Sequence, residues 1–118
     1  DKLKAKAHVI IGNYYAAINK KEEALKEFDI SISISFSFME AYLCKAQVLM
    51  DDKKYEEAIK VLQIATTLNN RFVDGYYYMG QCYEKINLKD MAIESYRRAL
   101  LYCPDYQEAA DALQRLSK

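Results

Sequence analysis

His8 is the only histidine of the chain, and Cys44, Cys82 and Cys103 are its only thiols. A zinc site needs several His or Cys ligands at close spacing, and a nucleophilic Ser or Cys needs a base beside it. One histidine supplies neither, and the thiols stand 38 and 21 residues apart with no Cys-x-x-Cys pair. Each cysteine reads as a small buried hydrophobe, and Cys44 is the one whose position points toward an open face. Glu22-Glu23 and Glu56-Glu57 offer paired carboxylates, but adjacent residues of a helix diverge, so these pairs read as solvated helix starts. Gly12, Gly75 and Gly80 lie 63 and 5 apart and make no phosphate-cradling loop. Eleven tyrosines, with Tyr14-Tyr15 and Tyr76-Tyr77-Tyr78 in runs, have the ring surface for base stacking but no basic neighbours. These residues predict no enzyme, no metal site and no cofactor.

The elements that would hold such residues are set by composition and period. In 118 residues, 52% hydrophobic and 29% charged, there is enough for a packed interior and a solvated exterior. Seventeen basic and seventeen acidic residues cancel, and no dense basic run appears, so neither nucleic acid nor a membrane surface is an expected partner. No apolar stretch approaches the ~20 residues that cross a bilayer. An odd number of cysteines favours a reducing compartment, hence an expected cytoplasmic location. The opening Asp1-Lys2-Leu3-Lys4 has neither an initiator Met nor a signal-peptide pattern, as expected for a segment of a longer chain.

A 34-residue echo organises the whole. Ala24, Ala58 and Ala92 are spaced by it, as are Gly12, Ala46 and Gly80, then Tyr15, Leu49 and Tyr83, then Phe28, Leu62 and Tyr96. A period of this size signals stacked helical hairpins, none able to bury its apolar face alone. Tyr76, Met79, Gly80 and Tyr83 fall on one helical face, and Ala92, Tyr96 and Ala99 trace the stripe opposite. Asn19 and Asn87 sit where a left-handed residue would end a helix, and Glu22-Glu23, Glu56-Glu57 and Asp90 open the next ones at the positive end of the dipole. Seven helices are predicted, over 2–18, 21–35, 39–52, 55–68, 73–86, 89–102 and 106–116. The last buries Ala109, Ala110, Leu113 and Leu116 and turns Asp111, Gln114, Arg115 and Lys118 to water, as a terminal cap should. One segment conflicts: Ser31 to Phe38 alternates polar and apolar with the period of a strand. The repeat aligns Ser31 with Ala65 and Ala99, which makes 31–35 the end of a helix and 36–38 a joint.

This spacing resembles the tetratricopeptide repeat, W-x-x-L-G-x-x-Y followed by A-x-x-x-F and a late Pro. The third unit reads Tyr76-x-x-Met79-Gly80-x-x-Tyr83, Ala92-x-x-x-Tyr96 and Pro104. The second reads Tyr42-x-x-Lys45-Ala46-x-x-Leu49 and Ala58-x-x-x-Leu62, with Asn70 for Pro; the first reads His8-x-x-Ile11-Gly12-x-x-Tyr15 and Ala24-x-x-x-Phe28, with Phe36 for Pro. His8, aligned with Tyr42 and Tyr76, is thereby a packing residue. The resemblance implies one all-α domain over 1–118. It would be a right-handed superhelical α-solenoid of three antiparallel hairpins (about 5–38, 39–72 and 73–106) and a capping helix (about 107–118).

The resemblance further implies a concave groove, lined by the first helix of each hairpin, that holds an extended peptide or a helix of another protein. Here Val9, Leu43 and Tyr77 make an apolar row; Asn13, Gln47 and Gln81 make a row of amides; Ile10, Cys44 and Tyr78 make a third. Amides both donate and accept, so a ladder of them suits the backbone of an extended chain. Balanced charge predicts little salt dependence. Family members that bind chaperone tails use a carboxylate clamp of Lys, Asn, Asn, Lys and Arg. Val9, Asn13, Cys44, Asp74 and Tyr78 stand at those places, and only Asn13 matches. The expected function is a non-enzymatic protein-interaction scaffold. The alternative is a self-assembly or stacking element within a longer array, since no solvating helix precedes the first hairpin. A related RNA-binding array has a 35-residue repeat and a basic groove, and this chain has neither.

Overall fold

The 34-residue spacing is realised as seven helices with no strand in a computed structural model that describes residues 1–118. They are α1 (Lys2–Ala17), α2 (Lys21–Ile34), α3 (Met39–Asp51), α4 (Tyr55–Leu68), α5 (Val73–Lys85), α6 (Lys89–Tyr102) and α7 (Gln107–Leu116). α1, α2, α3 and α5 each stop one residue sooner than the periodicity suggests, and α7 starts one later. Three antiparallel hairpins, α1–α2, α3–α4 and α5–α6, stack in chain order, and α7 closes the far end against α6.

The turn inside each hairpin is the same device. Asn19, Lys53 and Asn87 adopt φ of 65°, 61° and 64°. The next residue's amide reaches back to the helix: Lys20 to Tyr15 O at 2.8 Å, Lys54 to Leu49 O at 2.8 Å, Leu88 to Tyr83 O at 2.9 Å. Together with the bond one residue before (Asn19 to Ala16 O, Lys53 to Met50 O, Asn87 to Glu84 O), these form a Schellman motif that satisfies the terminal carbonyls. The asparagines were legible as stop signals; Lys53 was not, because a lysine there bears roughly 1–2 kcal/mol of left-handed strain that only the register reveals.

Joints between hairpins are held from the following helix. Tyr42 donates its hydroxyl to Phe36 O at 2.7 Å, and Tyr76 donates to Asn70 O at 3.0 Å. The strand-like stretch obeys the repeat. Ser31 is fully buried in α2 and donates to Ala5 O of α1 at 2.8 Å, and the chain becomes extended only at Ser35. Small residues are needed at this position because α1 crosses over it; Ala65 and Ala99 are equally buried.

The interior follows the same register. One buried cluster runs from Ala46, Leu62 and Tyr83 to Tyr96 and Ala112, and a second holds Val9, Phe28, Ala41, Cys44 and Val48. Completely burying a ring such as Phe28 or Tyr96 contributes on the order of 2–3 kcal/mol. Gly12 lies directly against the Phe28 ring and Gly80 against the Tyr96 ring, with no room for a Cβ at either. The result is elongated, 43 × 26 × 20 Å, as expected of an array in which each unit touches only its neighbours.

Candidate peptide groove

Residues of the first helices that the hairpin packing leaves over define the groove. The structure divides the nine expected positions. In the amide row Asn13 is exposed, while Gln47 and Gln81 are half-buried. Gln81 donates to the Tyr77 hydroxyl at 2.9 Å, which leaves its carbonyl oxygen free to accept. Leu43, Tyr77 and Tyr78 are half-buried, and Ile10 is 60% exposed.

Two positions do not present their side chains to the groove. Val9 is only 2% exposed, enclosed with Ala24, Phe28 and Ala41 where α3 packs across α1 and α2. Cys44 is 8% exposed in the same cluster. Burial pushes its thiol pKa up, against a smaller lowering by the Asn13 amide. The apolar row therefore begins at Leu43. Cys82 is wholly buried, its pKa pushed up to about 11 by desolvation; Cys103 is half-buried and donates to Asp105 Oδ1 at 3.2 Å. His8 ties α1 to α2, its Nδ1 lying 2.8 Å from Glu27 Oε1. Glu22, Glu23, Glu56 and Glu57 are exposed in first helical turns.

What reading the chain missed is the wall supplied by α7. Adding 34 to Asp74, Tyr77, Tyr78 and Gln81 lands on Glu108, Asp111, Ala112 and Arg115. The last helix thus sits in the register of a fourth first helix. Asp111 and Arg115 are exposed, as expected, and also line a cleft of about 380 Å³ with Tyr77, Gln81, Glu84 and Glu108. Arg115 is bidentate to Glu84, at 2.7 and 3.1 Å, and Tyr96 donates to the same carboxylate. The Arg115 hydrogen bond is the main force holding the Glu84 carboxyl below its usual range. Burial first, then Glu84, pushes the Tyr96 phenol well above its own.

Tyrosines converge on the same place. Tyr77 lies 5.3 Å from Tyr78 edge-on, 5.3 Å from Tyr106 stacked and 5.8 Å from Tyr96. Tyr106 donates to Asp74 Oδ1 at 2.6 Å. A larger cleft, about 610 Å³, opens between the second helices α4 and α6. Several of its polar groups are engaged within the fold: Thr66 donates to Leu62 O, Ser95 to Met91 O, Arg98 to Glu94 and Gln63 to the Tyr83 hydroxyl. The groove, unlike this cleft, runs through all three hairpins and repeats an amide in each, at Asn13, Gln47 and Gln81.

Stacked hairpins with a surface running across their first helices define an α-solenoid. The tetratricopeptide repeat pattern matches residues 40–72 and again 73–106, and the chain belongs to that family. It is 28% identical over 108 residues to the Hsp70-Hsp90 organising protein of Plasmodium falciparum (isolate 3D7), covering 86% of this chain and 19% of that protein. It is 29% identical over 93 residues to tetratricopeptide repeat protein 33 of Xenopus laevis, covering 79% and 36%. The chain thus spans about a fifth and about a third of these relatives. In fold it matches the first TPR of Spaghetti (RPAP3) bound to HSP90 peptide SRMEEVD, with a TM-score of 0.89 at 23% identity over 99% of this chain and 93% of that one.

Proposed function

We propose that the chain is a non-enzymatic interaction module that holds a peptide segment or helix of another protein along α1, α3, α5 and α7. The observation that carries this reading is the row Asn13, Gln47 and Gln81, spaced one repeat apart and accessible in all three hairpins. Such amides can pair with the backbone of an extended chain. Ile10, Leu43, Tyr77 and Tyr78 bury its side chains, and Val9 and Cys44 shape the floor from beneath. A reducing, cytoplasmic setting belongs to the same reading. The chaperone-tail mode of binding does not transfer. Of its five clamp places only Asn13 has the matching residue, Val9 and Cys44 are buried, and Asp74 reverses a charge.

The test is the triple variant Asn13→Ala/Gln47→Ala/Gln81→Ala, titrated with a peptide selected on this chain from a random phage-displayed library. Each lost amide bond costs roughly 1 kcal/mol, so affinity should fall about a hundredfold while the unfolding midpoint holds. Undiminished binding would refute the groove.

A second reading, self-stacking, rests on α1. Ala41 and Val48 of α3, and Gly75, Met79 and Cys82 of α5, are buried against the preceding hairpin. The equivalent face of α1 is apolar yet open, with Ile11 42% and Tyr14 62% exposed. That face matches what another copy could cover.

A further inference from the structure

We propose that the end of the groove between α5 and α7 takes a lysine or arginine side chain, so that the partner segment is basic where it docks there. This rests on the peptide-groove reading and adds the partner's chemistry to it.

The first support is aromatic. Tyr77 and Tyr78 meet edge to face, Tyr106 stacks on Tyr77, all three are half-buried, and Tyr77 lines the cleft together with Tyr96. Ring faces in that setting attract a cation, most strongly when it is partly desolvated. The second support is space: the cleft beside Tyr77 is large enough for a side chain to enter.

The third is charge complementarity. A net charge of zero for the whole chain conceals an uneven partition. Along one row of the first helices, 34 residues apart, stand Lys6, Glu40, Asp74 and Glu108. Together α5 and α7 carry four carboxylates (Asp74, Glu84, Glu108, Asp111) and two cations (Lys85, Arg115), an excess of two negative charges. Arg115 is already committed to Glu84. Asp74 receives only the Tyr106 hydroxyl, and Asp111 only the Gln107 amide at 2.7 Å. Glu108 has no hydrogen-bond or ion-pair partner, yet its charge is felt at both Tyr77 and Tyr106. Carboxylates around an aromatic face favour a cationic side chain and repel an acidic one. Salt dependence, absent from the balanced total, should therefore be local to this end.

The experiment selects phage-displayed random peptides on the immobilised chain and measures the winners by fluorescence polarisation. Selected sequences should be enriched in Lys and Arg. Affinity should fall about tenfold with Glu108→Lys/Asp111→Lys, by less with Glu108→Gln/Asp111→Asn, and with rising salt. Both positions are exposed, so circular dichroism should be unchanged. Peptides that lack basic residues, depend on Asn13, Gln47 and Gln81, and ignore the charge reversal would overturn this inference and leave the groove standing. Peptides indifferent to the amides as well, or no selection at all, would overturn both.

Discussion

Gly80→Ala tests the packing on which the groove's position depends. In an isolated helix the change would stabilise by about 1 kcal/mol. Here the added Cβ would stand 2.5, 2.7 and 2.8 Å from Cε1, Cζ and Cδ1 of Tyr96, roughly 1 Å inside ordinary carbon contact. The ring has nowhere to go, since Tyr96 is fully buried and its hydroxyl is bonded to Glu84. α5 and α6 must part, and strain of this kind costs roughly 1–3 kcal/mol. With three ring atoms in conflict, the upper end applies, for a net loss of about 2 kcal/mol. Urea unfolding followed by helical circular dichroism measures it.

The middle hairpin supplies the control. There Ala46 occupies the equivalent place and Leu62, smaller than a tyrosine, stands in the place of Tyr96. In a Tyr96→Leu background, Gly80→Ala should become neutral or stabilise by up to about 1 kcal/mol. That leaves a coupling of roughly 2–3 kcal/mol between the two sites. Equal cost in both backgrounds, or a gain in the unaltered chain, would refute the close-approach argument.

Two further outcomes follow from named contacts. Glu84 is held below its unfolded range by Arg115, so its contribution to stability is complete above about pH 5 and is lost as pH falls through the lower, folded value. Arg115→Gln should cost under about 1 kcal/mol at neutral pH, and the difference should vanish in acid; a gap that persists at low pH denies the linkage. If α1 stacks on another copy, light scattering should show a concentration-dependent dimer that Ile11→Glu/Tyr14→Glu abolishes. A monomer at every concentration removes that reading.

The strand-like run from Ser31 to Phe38 shows how the chain is read. Locally it alternates, yet Ser31 lies under α1 exactly one repeat before Ala65, and helix won because the site needs a small residue on a helical face. Likewise Lys53 takes a left-handed backbone that its type disfavours, since the hairpin must turn where Asn19 and Asn87 turn.

Period alone was enough for the architecture. Each hairpin buries its apolar stripe only against the next, so small and aromatic residues must return every 34 positions, and that regularity is visible without coordinates. Which leftover positions open to a partner was a matter of how the helices cross. α3 packs across α1 and α2, which takes Val9 of α1 and Cys44 of α3 itself off the surface, whereas α7 brings Glu108, Asp111 and Arg115 beside Tyr77 and Glu84. No local pattern marks either event, because both arise from side chains on separate helices meeting across the stack.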